Sequence, residues 1–296
     1  MVMSTTSRWF DKKRGLALGI VGSGTGFGTL LMAPFATYLI SSLGWRMAYI
    51  IMGSIAWLVV IVLSRLLKKN PAEIGALPDG AKSDSGEMGI DEPSREGNTR
   101  STELSLVQAS RTSNFWLLGA IWLLYSFCYL MLLTHIVPHA TDIGIPVMEA
   151  AVILSLMGGS NIAGRLLMGR VSDSIGRKAT AIICALLVVG AMMWLIWSQD
   201  LWMLYLFGIV FGFSFGGLDP SVTGLIGDSF GLRSIGVIMG TLNVAWGIGA
   251  AIGPAVGGFV FDASKSYSMA FLAGALAMLI AALLVTLIKK ETKRNV

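Results

Sequence analysis

Eight long apolar runs decide most of what this 296-residue chain can become. They cover roughly Gly15–Ile40, Trp45–Leu67, Phe115–Ala140, Val147–Met168, Ala179–Trp197, Leu201–Ile226, Ile235–Phe261 and Ser268–Ile288. Each supplies the roughly 20 apolar residues that carry a helix across the hydrocarbon layer of a bilayer. Lipid offers no hydrogen-bond partners, so each run must satisfy its own backbone, which a helix does. The chain is therefore predicted to be an all-α integral membrane protein. Its composition agrees, with 54% hydrophobic and only 13% charged residues, where soluble domains carry roughly 25% charged. That balance excludes a soluble globular enzyme, a disordered chain and a nucleic-acid binder. The net charge of +5 reads as Lys and Arg gathered on one membrane face, not as affinity for an anionic polymer. Cys128 and Cys184 both lie inside apolar runs, so no disulfide framework is expected. The first run is too long for the core of a cleavable signal peptide.

Nineteen of the 22 Lys and Arg fall on one side of an alternating eight-span path. They cluster at Arg8–Arg14, in the stretch from Arg65 to Arg111, in the turn with Arg170, Arg177 and Lys178, at Arg233, and in the tail from Lys289. Arg46 and Lys265 lie opposite, and Arg165 lies within a span. The asymmetry places both termini and the central linker in the cytoplasm, in a cell membrane (plasma or inner). Three domains are predicted: residues 1–68 with two spans, a flexible cytoplasmic linker over 69–113, and a six-helix bundle over 114–296. The linker assignment rests on Pro71, Pro78 and Pro93 among Ser, Gly and mixed charges.

The first two spans repeat in the last two. Gly53–Lys69 (GSIAWLVVIVLSRLLKK) aligns with Gly274–Lys290 (GALAMLIAALLVTLIKK), and Pro34 with Pro254, at a near-constant offset. Repeated bundles are common in transporters. If the repeat holds, four helices of a first bundle are expected ahead of Met1. The expected whole is twelve helices in two bundles, of which this chain carries eight.

Two motifs point to a family. Gly169–Lys178 reads GRVSDSIGRK between spans four and five, and Gly249–Gly258 reads GAAIGPAVGG in span seven. These resemble the G-x-x-x-D-x-x-G-R-K loop and the G-x-x-x-G-P-x-x-G-G helix of the major facilitator superfamily. Trp9-Phe10, with Lys12 to Gly19, is similar to the fifth-helix signature of its monocarboxylate transporter and oxalate:formate antiporter branches. By that resemblance the spans are helices five to twelve, and the first four are absent. It implies a conformational role for Gly169, Asp173, Gly176, Arg177 and Lys178. In that loop Asp173 can face Arg170, Arg177 or a helix N-terminus, and the glycines allow a sharp turn and close helix approach. It implies a gating bend around Gly249, Gly253, Pro254, Gly257 and Gly258.

Arg165 is the leading candidate for binding. A permanent cation inside a span is costly and faces a partner or a watery cavity; alternatively it snorkels to the interface. It can hold a carboxylate bidentately. The resemblance implies a substrate-binding arginine at this place. Asn161, one turn earlier on the same helix face, can hydrogen-bond a substrate but carries no proton. Span seven lacks the second basic residue that the resemblance implies for oxalate exchangers, so a monocarboxylate is expected over a dianion. Asp219, late in span six and just before Pro220, is the proton-coupling candidate, or else caps a helix turn at a break. Tyr125 and His135 complete the candidate substrate site. His135 and His139 alone make a poor metal site, and no cofactor is implied.

The function expected is secondary transport of a small organic anion by alternating access, with a co-transported proton or an exchanged anion. No phosphate-binding G-x-x-x-x-G-K-[ST] loop occurs. A non-transporting fragment, or half of a split transporter, is the alternative. An integral membrane enzyme is the remote one, because no H-E-x-x-H, serine–histidine set or acidic metal cluster occurs.

Overall fold

The computed structural model of the chain describes residues 14–66, 105–231 and 235–289. Everything described is helix or short connection. The helices are α1 (Arg14–Leu66), α2 (Leu106–Ser110), α3 (Ser113–Asp142), α4 (Val147–Ile175), α5 (Arg177–Ile196), α6 (Leu201–Phe230), α7 (Ile235–Ser264) and α8 (Ser268–Leu287). Among the described residues, seven of these are long and apolar enough to cross a membrane.

Eight spans were expected, and the difference lies in α1. Its apolar part runs over 44 residues, Gly22–Arg65. At 1.5 Å per residue a straight rod of that length would reach about 66 Å, twice the hydrocarbon thickness. One residue interrupts the helical backbone: Gly44, with φ 78° and ψ 160°. Only glycine adopts such a conformation without strain. The break falls between Ile40 and Trp45, where the two expected spans part. The backbone stays helical through Pro34.

The chain divides into two compact units, residues 1–25 with 35–99, and residues 26–34 with 100–296. In the first, the helix after Gly44 presents Trp57 at 75% and Tyr49 at 68% exposure. Such apolar surface suits lipid as its solvent, because the helix satisfies its backbone internally. The expected linker is not featureless at its end. Ser105 and Gln108 form a reciprocal capping box that starts α2, and Thr112 accepts a hydrogen bond from the Phe115 amide to start α3. Residues 67–104, the bulk of that linker, lie outside the described residues, as do 1–13, Arg233 and the tail from Lys290.

The second unit is built by two pairs of parallel helices. In one, α6 packs on α4; in the other, α7 packs on α3; α5 and α8 fill in behind. Glycines at every fourth position set both contacts. A Cβ on Gly208 would lie 3.1 Å from the Ile153 carbonyl oxygen, and those on Gly212 and Gly216 would collide with the Met157 and Asn161 carbonyls. Gly249 and Gly253 meet the Leu123 and Phe127 carbonyls in the same way. Small residues at this spacing let backbones approach to van der Waals contact, the main cohesive force where lipid removes the hydrophobic drive. Phe207, Phe211, Phe215 and Phe271 fill the fully buried centre.

Candidate functional site

The glycine ladder between α4 and α6 places the site. Gly208, Gly212 and Gly216 step along Ile153, Met157 and Asn161 in parallel register. One turn further, the register brings Arg165 opposite Asp219. Arg165 Nη2 donates to Asp219 Oδ2 at 2.7 Å, and Arg165 Nε donates to Asn161 Oδ1 at 3.2 Å. The side chains are 15% and 29% exposed. Charge-assisted bonds of this kind are among the strong ones, and the pair is neutral overall, which lowers the penalty of charge in a span. Arg165 Nη1 makes no hydrogen bond to a described residue.

The chain runs through Pro220 as unbroken helix, so Asp219 holds a charge partner from another helix and does not cap a turn. Three sequence candidates, Arg165, Asn161 and Asp219, thus form one cluster. Tyr125 belongs beside it, because its ring packs on Phe215, the residue before Gly216, whose Cβ position lies 3.0 Å from the Arg165 amide nitrogen. Two residues were missed. Tyr129 stacks on Tyr125 with ring centres 6.3 Å apart and planes 14° apart, and Phe215 packs against both at 4.8 and 5.1 Å. The signal for Tyr129 was its spacing of four from Tyr125.

His135 lies elsewhere. Its Nε2 meets the Pro254 carbonyl at 2.9 Å. A carbonyl only accepts, so Nε2 carries the proton. A Cβ on Gly257 would press on the same ring at 2.5 Å. The bond ties α3 to the Gly-Pro segment of α7, and α7 continues as helix through Pro254. His139 instead meets Tyr267 and Phe271 edge-on, at 5.7 and 5.0 Å. Burial, reinforced by the charges of Asp142 and Asp262, pushes the Tyr267 phenol above its ordinary range.

In the loop between α4 and α5, Gly176 has φ 91°. Arg177 Nη1 donates to the Gly224 carbonyl at 2.8 Å and to Asp228 Oδ1 at 2.6 Å. Gly224 leaves room for this, since its Cβ would crowd the Arg177 side chain. Lys178 donates to the Thr286 and Ile288 carbonyls, a cation at a helix C-terminus. Asn114 completes the clasp with two bonds to the Lys289 backbone. Asp173, expected to face Arg170, Arg177 or a helix N-terminus, is exposed and forms no ion pair among the described residues. Asp228 comes to Arg177 from α6 in its stead. Gly169 lies in open space and Gly258 at ordinary contact distance, so neither is a point of close approach. The Arg177–Asp228 pair is about half exposed. Asp228→Asn is therefore expected to cost no more than about 1 kcal/mol, read as a small shift in thermal unfolding of the solubilised protein. A large drop would count against that reading.

The apolar grooves on the surface of the second unit lie away from the charged cluster. One is lined by Leu186, Gly190, Trp194 and Phe207 between α5 and α6, the other by Phe115, Gly119, Leu242 and Ile248 between α3 and α7. Neither offers a charged group to a ligand.

The description of the Major Facilitator Superfamily matches residues 1–177 and 140–296. The chain is 24% identical over 314 residues to monocarboxylate transporter 12 of Xenopus laevis, covering 99% of the chain and 66% of that protein. It is 24% identical over 285 residues to human monocarboxylate transporter 11, covering 91% of the chain and 55% of that protein. The chain thus spans about two thirds or less of the length of these relatives. Its fold resembles that of the fucose:proton symporter of E. coli, with a TM-score of 0.61 at 16% identity, covering 97% of the chain and 72% of that structure.

Proposed function

The chain belongs to the Major Facilitator Superfamily, and from that premise we propose that it is a secondary active transporter of a small organic anion, a monocarboxylate. The observation that carries the reading is the Arg165–Asp219 pair, a cation held within a span by a carboxylate that a substrate carboxylate can replace. Asn161 fixes the guanidinium through Nε and leaves the Nη edge to the anion. The names of the relatives support the same ligand class. Alternating access would expose the site to each side in turn, with both termini and the linker cytoplasmic.

Asp219 is the coupling group in this proposal. When the substrate carboxylate takes its place on Arg165, Asp219 loses its counter-charge in apolar surroundings. Uptake of a proton then removes the uncompensated charge. The proton leaves when the substrate does and the ion pair re-forms. Inward anion uptake by the full-length protein is expected to rise severalfold when the outside is acidified. Asp219→Asn should abolish that rise while leaving anion exchange measurable. A pH response that survives the substitution would remove Asp219 from the coupling step.

A further inference from the structure

The rings beside Arg165 bear on what the anion looks like. Tyr125 and Tyr129 stand one turn apart on α3, their planes 14° from parallel. Phe215, fully buried on α6, wedges against both, and Phe211 stacks behind it with ring centres 4.5 Å apart. The tyrosines are therefore held in place before any ligand arrives, and a ligand that stacks on them orders no side chain in doing so. Neither hydroxyl makes a hydrogen bond to a described residue, and both side chains are partly exposed. Phe215 directly precedes Gly216, whose Cβ position lies 3.0 Å from the Arg165 amide nitrogen, so the rings gather beside Arg165. Flat apolar faces, unpaired phenol tips and one guanidinium edge thus share one place within the second unit.

The charges limit the ligand as well. Arg165 is the cluster's one cation and Asp219 already balances it. The cluster accommodates one carboxylate in place of Asp219, and a second anionic group on the ligand would find no further cation in the cluster.

We infer that the transported anion is an aryl monocarboxylate whose carboxylate binds Arg165 and whose ring stacks on Tyr125 and Tyr129. The inference rests on the proposed reading of Arg165 as the anion site. A saturated chain of equal size buries against the same faces but gains nothing from the ring quadrupoles, whereas an aromatic ring in offset or edge-on contact does. The two tyrosines are the specificity-determining residues.

The test compares benzoate with propanoate as labelled substrates in the full-length protein, with surface abundance measured for every variant. The wild type is expected to half-saturate with benzoate at about a tenth of the propanoate concentration. Tyr129→Leu should bring that ratio near one, and Tyr129→Phe, which keeps the ring, should retain most of it. Equal or inverted preference in a wild type whose uptake depends on Arg165 overturns the aryl inference alone. So does a ratio untouched by Tyr129→Leu and Tyr125→Leu in protein that reaches the membrane. Uptake of neither acid, or uptake indifferent to Arg165→Gln, overturns the anion site itself and this inference with it.

Discussion

Arg165→Gln is expected to reduce anion uptake by a hundredfold or more, on the order of 3 kcal/mol of lost binding. The substitution removes the one cation of the cluster and leaves Asp219 as an uncompensated carboxylate in a span. Removing one partner of a fully buried pair costs roughly 3–5 kcal/mol. This pair keeps 15% and 29% exposure, so the folding penalty should be smaller, on the order of 1–2 kcal/mol. Folding and function can be separated by the double variant Arg165→Gln with Asp219→Asn. The two neutral amides can hydrogen-bond across α4 and α6, so thermal stability should return toward wild type. Uptake should not return, because no cation remains to hold the anion. Surface abundance, thermal unfolding and uptake measured together decide it. Uptake within a few-fold of wild type in well-expressed Arg165→Gln would end the anion-site reading.

The sequence carried the parts of this cluster more clearly than their meeting. Arg165 stood out because a guanidinium in an apolar run demands a partner, and Asn161 followed from helical spacing. The pairing with Asp219 joins positions 54 residues apart, and periodicity along one helix says nothing of a neighbour. A clue was nevertheless present. Gly208, Gly212 and Gly216 mark the face of α6 that meets another helix, and Asp219 continues that face by one turn. Asp228 went unnoticed because a carboxylate at the polar end of a helix looks like solvated surface. His135 looked like a ligand group because a histidine in a span is rare, but the Pro254 carbonyl that it bonds leaves no trace in side-chain chemistry. Gly44 was one more glycine in a chain with 36 of them. Only its backbone angles set it apart.

Gly216→Ala should produce the second large effect. The added Cβ meets the Asn161 carbonyl and lies 3.0 Å from the Arg165 amide nitrogen. These are backbone atoms, so no side-chain rotation relieves the clash and α6 must move away from α4. Overpacking of this kind costs about 1–3 kcal/mol. The movement also pulls Asp219 from Arg165, so uptake should fall together with thermal stability. Gly190→Ala, in α5, is the internal control. Nothing lies within 4 Å of its Cβ position, and alanine is the better helix former by about 1 kcal/mol. It should unfold at the wild-type temperature or slightly above. If the two variants unfold alike, close glycine packing is not what holds α4 and α6.

The ladder has a weakness that the ion pair repairs. Two of its rungs are interchangeable: slide α6 by one turn, and Gly212 faces Ile153 while Gly216 faces Met157, and only the Asn161 carbonyl loses its glycine, to Pro220. At those two rungs van der Waals contact does not distinguish the alignments, which differ by one helical pitch of about 5.4 Å. A single Arg165 and a single Asp219 do distinguish them, since only one alignment lets the charges touch. The pair therefore acts as an index mark on an otherwise repeating scale. While it is closed, the helices are held at one setting. On the proposed reading, an anion that opens it lowers the penalty for misalignment, and binding gains a mechanical means of being felt along the whole length of α6.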